Sequence, residues 1–302
     1  MVPAMRFLKW LGISLGVLVL LVGGALGWLA LMTPKSRPAS TASVAVTPAR
    51  VERGRYLFHH VVACSSCHTP SDYAAFAAPQ RVELTGAGKC FPESFQLPGT
   101  ICPPNITPHP GAGIGRWTDG ELMRALREGV GRDGRALFMM ERYPLSDEDA
   151  SSLVAYLRSL PPLPQKQPRS QVSFPVNLLI KTSPAPLAGP IPHPAATSGA
   201  AYGEYLSSLA GCGGCHSSEE LEFGGGEAFD SPAGKEVAPS IAGLPSYTPE
   251  AFVQMMKSYE AMEAAPVPAK LVMPWRAFAG MTEADLTSVH AFIRSRPARG
   301  SP

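Results

Sequence analysis

Apolar and polar positions divide the chain into stretches of very different character. The first, Trp10–Met32 ("WLGISLGVLVLLVGGALGWLALM"), carries no charged residue. As a helix it would extend roughly 34 Å, enough to cross a bilayer core. Trp10 and Trp28 fall towards its two ends, where indole rings suit the lipid–water boundary. A cleavable leader would have a shorter apolar stretch closed by a small-residue cleavage site, and "ALMTPKSRP" fits that poorly. The expectation is a retained anchor. Arg6 and Lys9 before it are matched by Lys35 and Arg37 after it, so flanking charge alone does not orient it.

Beyond the anchor the apolar residues recur at helical spacing. Leu153, Tyr156, Leu157 and Leu160 form one stripe, and Val289, Phe292 and Ile293 repeat most of it. Ser146 with Asp149, and Thr282 with Asp285, resemble capping boxes with Asp at the third position. "WTDGELMRALREGV" (117–130) has a Thr118/Glu121 box, and "YTPEAFVQMMKSY" (247–259) starts with Thr248 as cap and Pro249 in the first turn. No alternating strand pattern competes. The expected class is all-α.

The pattern also repeats. "GRYLFHHVVACSSCH" (54–68) matches "GEYLSSLAGCGGCH" (203–216) with one extra residue in the first copy. "LSDEDASSLVAYLRSLPP" (145–162) matches "MTEADLTSVHAFIRSRPA" (281–298) without a gap, with identities at Asp149/Asp285, Ser152/Ser288, Ala155/Ala291, Arg158/Arg294, Ser159/Ser295 and Pro161/Pro297. Two copies are too few for a solenoid, so the pattern predicts a duplicated domain. The expected layout is an anchor over 1–33, a flexible tether over 34–49, a first unit over 50–164, a Pro-rich linker over 165–198 and a second unit over 199–302. Within the linker the apolar "FPVNLLI" is expected to dock on a neighbouring domain.

Composition narrows the class of partner. A formal charge of +2 gives no polyanion signature, so nucleic acid is not an expected partner. Pro 32 and Gly 29 with 8% aromatic residues fit short helices joined by punctuated loops.

The chemistry lies in four of the six cysteines. "ACSSCHT" and "GCGGCHS" both spell Cys-x-x-Cys-His: Cys64, Cys67, His68 and Cys212, Cys215, His216. In a helical turn, two thiols three residues apart face the same way and the next residue follows round the turn. The motif therefore presents two sulfurs to the vinyl groups of one haem and an imidazole to its iron, the signature of covalent c-type attachment. A thioredoxin-like CxxC needs a βαβ context, which is missing, and a zinc site built from both pairs would leave each His unexplained. By chance one such motif is expected about 0.003 times per chain of this composition. The cofactors expected are two covalently bound haem c groups.

At these residues the chain resembles the dihaem class I c-type cytochromes, and especially the membrane-anchored cytochrome subunits of periplasmic dehydrogenases. "NITPHPGAGIGRWTDGELMRALREGVGRDGRALF" (105–138) followed by "LSDEDASSLVAYLRSLPP" carries the closest match, with His109 standing where the family usually has an acidic residue. The resemblance implies two tandem cytochrome c-type domains, each with first and last helices crossing beside the haem. It implies that Gly54 and Tyr56 meet Tyr156, and that Gly203 and Tyr205 meet Phe292. It also implies a methionine sulfur opposite each His. In the second unit "VMPWRAF" makes Met273 that ligand, with Met255, Met256 and Met262 as competitors and Met281 as filler. In the first unit family spacing favours Met140 over Met139. The metal ligands expected are thus His68, Met140, His216 and Met273. A bis-His site stays open while His59, His60, His109, His193 and His290 are unplaced.

Cys90 and Cys102 lie in the first unit alone. In an oxidising compartment such a pair is most simply a disulfide; the alternative is a thiolate haem ligand. No catalytic dyad is recognisable. The expected function is one-electron transfer at the periplasmic face of the bacterial cytoplasmic membrane, between a dehydrogenase and a downstream oxidase or cytochrome. The competing classes are a dihaem redox enzyme of peroxidase or thiosulfate-oxidising type, and a haem-based sensor of small ligands.

Overall fold

The computed structural model describes residues 2–75, 77–140, 143–244, 247–260 and 272–297. Helix α1 (Val2–Leu31) is apolar, solvent-exposed through its middle and long enough to cross a membrane. Of residues 34–49, expected as a flexible tether, those up to Thr47 instead lie along the first unit. Arg37 Nε donates to Glu128 Oε1 at 2.6 Å, the Val44 N–H donates to Asp119 Oδ2 at 2.8 Å, and Val44 packs on the core. Gly120 lets the Ser40 carbonyl pass where a Cβ would collide with it. Proline, alanine and serine disguise a strap whose anchoring partners are distant in sequence.

The first unit opens with α2 (Pro48–Tyr56), capped by the Thr47 hydroxyl and continued as a π-turn over Leu57–Val61. The short α3 (Cys64–His68) follows, then α4 (Asp119–Glu128) and α5 (Asp147–Ser159). Helix α2 crosses α5 at Gly54, where an added Cβ would run into the Ser152 carbonyl and lie 2.7 Å from Tyr156 Cβ. Arg50 and Arg53 clasp the start of α5 through paired hydrogen bonds to Glu148 and Asp149. Leu57, Phe58, Val61, Leu145, Leu153 and Val154 fill the space beneath.

The Pro-rich segment runs back over this unit. Asn105 Nδ2 donates to the carbonyls of Leu163 and Gln165, and β1 (Gly99–Thr100) pairs antiparallel with β2 (Gln171–Val172). Next comes α6 (Val176–Leu179), within the apolar stretch expected to dock on a neighbouring domain. It sits instead beside the last turn of α1, where Lys181 Nζ donates to the carbonyls of Leu29 and Ala30.

The second half repeats the plan with α7 (Gly199–Ala210), α8 (Cys212–His216), a hairpin of β3 (Ala228–Ser231) and β4 (Gly234–Val237), α9 (Pro249–Ser258), α10 (Trp275–Ala279) and α11 (Glu283–Arg294). Gly203 meets the Ser288 carbonyl and Phe292 as Gly54 meets Ser152 and Tyr156. The all-α class stands, with two short antiparallel ribbons added.

Tyr56 and Tyr205 depart from expectation. Each reaches across to the other half. Tyr56 Oη donates to Asp285 Oδ2 at 2.5 Å and accepts from the Thr282 N–H at 3.1 Å. Tyr205 Oη donates to Asp149 Oδ2 at 2.7 Å and accepts from the Ser146 N–H at 3.1 Å. Burial and the Asp285 carboxylate push the Tyr56 phenol up, so it keeps its proton and donates. The pairs occupy equivalent repeat positions and form a reciprocal, pseudo-two-fold clasp. It also corrects the capping boxes: the Ser146 and Thr282 hydroxyls do accept from Asp149 and Asp285 N–H groups, but the Asp carboxylates serve the clasp. Only Thr118/Glu121 forms the full box expected.

Gly54→Ala should lower stability by about 3 kcal/mol, the upper range for overpacking, because the obstacle is backbone; urea titration of the full chain measures it. A second expectation concerns His59, whose Nε2 lies 2.8 Å from Tyr156 Oη. Burial lowers its pKa to about 4, with His60 and Arg55 adding to the shift. An unfolded histidine titrates near ~6.5, so between these values the unfolded chain binds the extra proton. Stability should be full above about pH 6.5 and fall as the pH drops towards 4. His59→Gln should flatten that part of the profile; equal slopes in both proteins would refute the assignment.

Candidate functional site

Both Cys-x-x-Cys-His segments fold as single helical turns entered through a left-handed residue. Ala63 has φ 54° ahead of α3, and Gly211 has φ 69° ahead of α8. The reversal is natural for glycine and costs an alanine about 1 kcal/mol. It turns the chain sharply out of α2 or α7, bringing both thiols and the imidazole onto one short turn.

The imidazoles are held in the same way. His68 is buried with Nδ1 at 2.8 Å from the Pro104 carbonyl, and His216 is buried with Nδ1 at 2.9 Å from the Pro239 carbonyl. A carbonyl only accepts, so Nδ1 carries the proton and Nε2 keeps its lone pair for a metal. Main-chain bonds fix the same turn from behind: Gly88 N–H to the His68 carbonyl at 2.8 Å, and Gly225 N–H to the His216 carbonyl at 2.7 Å. Burial lowers the His68 pKa, which keeps the ring neutral and able to ligate. Burial likewise raises the Cys64 thiol to about 12 and raises Cys212, so without a bound group both sulfurs keep their protons. Among the described residues no three His, Cys, Asp or Glu side chains converge as a metal cluster, so the two CxxC pairs do not build one zinc site.

Pro104 and Pro239 are the functional positions the sequence concealed, because each acts through a backbone carbonyl. Pro104 ends a loop stapled by the Cys90–Cys102 disulfide. The pairing matches the oxidised alternative and removes both thiols as candidate haem ligands. Lys89, beside Cys90, is buried with Nζ 2.9 Å from Ser71 Oγ and over the rings of Tyr73 and Phe91. Burial lowers it to about 8.

Met140 packs half-buried against the core, whereas Met139, with φ 57°, is 47% exposed. Met273 also packs against the core, directly before the Pro274 that caps α10. Met256 is buried within α9, Met281 is buried filler, and Met262 lies outside the described residues. The remaining histidines are engaged elsewhere. His60 bonds the Ala277 carbonyl, His290 the Tyr247 carbonyl and His193 the Pro194 carbonyl. His109 Nδ1 accepts from the Gly111 and Ala112 N–H groups, the task a carboxylate would perform there, which explains why histidine can stand in that place.

Residues 51–161 match the cytochrome c family. A cytochrome c fold therefore spans this part of the chain. Relatives extend the likeness over more of the chain. A nicotinate dehydrogenase subunit of Pseudomonas putida is 36% identical over 186 residues, covering 58% of this chain and 14% of its own length. The fructose dehydrogenase cytochrome subunit of Gluconobacter japonicus is 24% identical over 321 residues, covering 98% of this chain and 61% of its own. A diheme cytochrome c-type protein of Cereibacter sphaeroides is 30% identical over 169 residues, covering 55% of this chain and 53% of its own. The chain thus spans less than two thirds of these relatives. Within the matched residues, α2 crosses α5 at Gly54, runs on through the π-turn to Val61 and then turns into α3.

Replacing Cys90 and Cys102 together by Ser should cost about 2–3 kcal/mol of stability, the value for closing a loop of this size. His68 should keep its partner, because Pro104 is also tied through the Lys89 N–H to the neighbouring Pro103 carbonyl at 3.2 Å. Alkylation before and after reduction checks the premise; labelling of either cysteine in the unreduced protein would contradict it.

Proposed function

We propose that this chain is a membrane-anchored dihaem c-type cytochrome that carries electrons singly at the periplasmic face of the cytoplasmic membrane. The observation that carries it is the repeated His–Pro carbonyl pair, His68 with Pro104 and His216 with Pro239, each set behind a Cys-x-x-Cys. The residues fit haem c in both units. Cys64 and Cys67 would hold one group, with His68 and Met140 as the residues that would bind its iron. Cys212 and Cys215 would hold the other with His216 and Met273. Haem c, when bound, supplies reversible one-electron chemistry. The protein's own part is to fix each imidazole through its Nδ1–H, to hold a soft sulfur against the core, and to keep water from the buried rings.

The second half, about 199–302, is taken as a second cytochrome c domain because the Gly203 crossing and the His216 arrangement repeat those of the first. Covalent haem attachment occurs outside the bacterial cytoplasm, so α1 would run from a cytoplasmic N-terminus with both units in the periplasm. The dehydrogenase subunits among its relatives favour a periplasmic dehydrogenase as electron donor, with a terminal oxidase or a further cytochrome as acceptor. A thiosulfate-oxidising or peroxidase role has less support, since the disulfide occupies the spare thiols and a core-packed methionine is available in each unit.

The purified chain should weigh its polypeptide plus two haems, and its ferrous form should not bind carbon monoxide. Met140→Ala and Met273→Ala should each open one centre to carbon monoxide and remove half of the weak methionine–iron(III) charge-transfer band. Carbon monoxide binding at both centres of the unaltered protein would end this proposal.

A further inference from the structure

The segment Phe174–Lys181 has no place in the redox chemistry. It is apolar, yet Phe174 is 66% exposed and Leu179 52% exposed. It is also held firmly. Upstream, Ser170 Oγ accepts from the Cys102 N–H and donates to the Cys102 carbonyl, and the Ser173 N–H donates to the Pro98 carbonyl. Downstream, Lys181 Nζ donates to the Leu29 carbonyl at 3.2 Å and the Ala30 carbonyl at 2.7 Å. A loop that exposes phenylalanine and leucine while fixed at both ends calls for a cover.

Its position names that cover. Leu29 and Ala30 follow Trp28, the exposed indole at the far end of the apolar helix. Helical residues rise by about 1.5 Å each, so Lys181 grips α1 within one turn of the tryptophan level. Indoles collect at the lipid–water boundary. Helix α6 packs beside α1, so the exposed Leu179 on it, with Phe174 just ahead of it, adds apolar surface next to that end of the helix. The charge agrees: residues 161–194 contain Lys166, Arg169 and Lys181, residues 33–49 contain Lys35 and Arg37, and neither stretch has an Asp or Glu. Arg37 and Arg169 reach Glu128 and Asp133, while Lys35 and Lys166 are exposed. An ammonium has three N–H donors, and Lys181 directs two at helix carbonyls, leaving one for a phosphate oxygen.

We propose that Phe174–Lys181 is a second, interfacial contact with the bilayer that α1 crosses. Phe174 and Leu179 enter the headgroup–acyl boundary of the leaflet at the C-terminal end of α1, and Lys181 and Lys35 meet lipid phosphate. Two contacts instead of one fix how the first cytochrome c domain stands on the membrane. The inference rests on α1 spanning the bilayer.

The test uses the full haem-loaded chain in vesicles of phosphatidylcholine and phosphatidylglycerol. Phe174, Leu179, Leu18 and Val82 are replaced in turn by p-benzoylphenylalanine, each variant being checked for an unchanged haem spectrum. After irradiation, intact-mass analysis should show a shift of one phospholipid at Leu18, Phe174 and Leu179. It should show none at Val82, which is 78% exposed on the first unit. A lipid adduct at Leu18 with none at Phe174 or Leu179, or with cross-links there to a second copy of the chain, overturns the interfacial contact and leaves the anchor standing. Lipid adducts at Val82 as well would mean that the domain lies flat, which also overturns it. Loss of the Leu18 adduct removes the span itself, and this proposal with it.

Discussion

Two helices can touch backbone to backbone only where one of them lacks a side chain. Gly54 against the Ser152 carbonyl and Gly203 against the Ser288 carbonyl provide that contact, once in each half. The close approach brings α2 onto α5 and α7 onto α11, burying Leu57, Phe58 and Leu153 in one case and Leu206, Leu209 and Ile293 in the other. Beyond the crossing the helical chain runs on for about two turns in each half, to Val61 and to Ala210. The left-handed turn at Ala63 or Gly211 then follows, and with it the position of the Cys-x-x-Cys-His residues. A methyl group at either crossing would displace the whole constellation.

From that crossing the site follows by backbone geometry. The carbonyls of Pro104 and Pro239 choose the tautomer of the two imidazoles, and glycine N–H groups hold the same turns from the opposite side. Little of this depends on polar side chains, which suits a buried, low-dielectric setting where an unpaired polar group is costly. The two halves differ mainly in their loops. The first carries a disulfide beside Lys89, and the second carries a hairpin in the corresponding stretch. That contrast gives the two sites unlike electrostatic surroundings on one shared frame.

The amino-acid pattern exposed some of this and hid the rest for physical reasons. The membrane-length helix, the all-α class and the repeated spelling were legible because hydrophobic period and residue order are properties of side chains in sequence. The glycine crossings were legible through the resemblance, and the structure agrees with them. Tyr56 and Tyr205 were not, because a residue next to a helix crossing can face its own partner or a neighbour, and periodicity gives no preference. Pro104 and Pro239 left no trace, since a carbonyl is common to every residue. The tether over 34–49 looked flexible by composition, yet Asp119 and Glu128, far along the chain, tie down its first part.

The reciprocal clasp carries a further consequence. The N-terminal end of α5 is completed by a phenol from α7, and that of α11 by a phenol from α2. Neither half is therefore closed on itself, although each has its own Cys-x-x-Cys-His turn and its own crossing. Cut apart, each would expose a helix start and a tyrosine shaped for a missing twin. Because each phenol completes a helix start in the opposite half, a change at one tyrosine is felt on the far side of the contact.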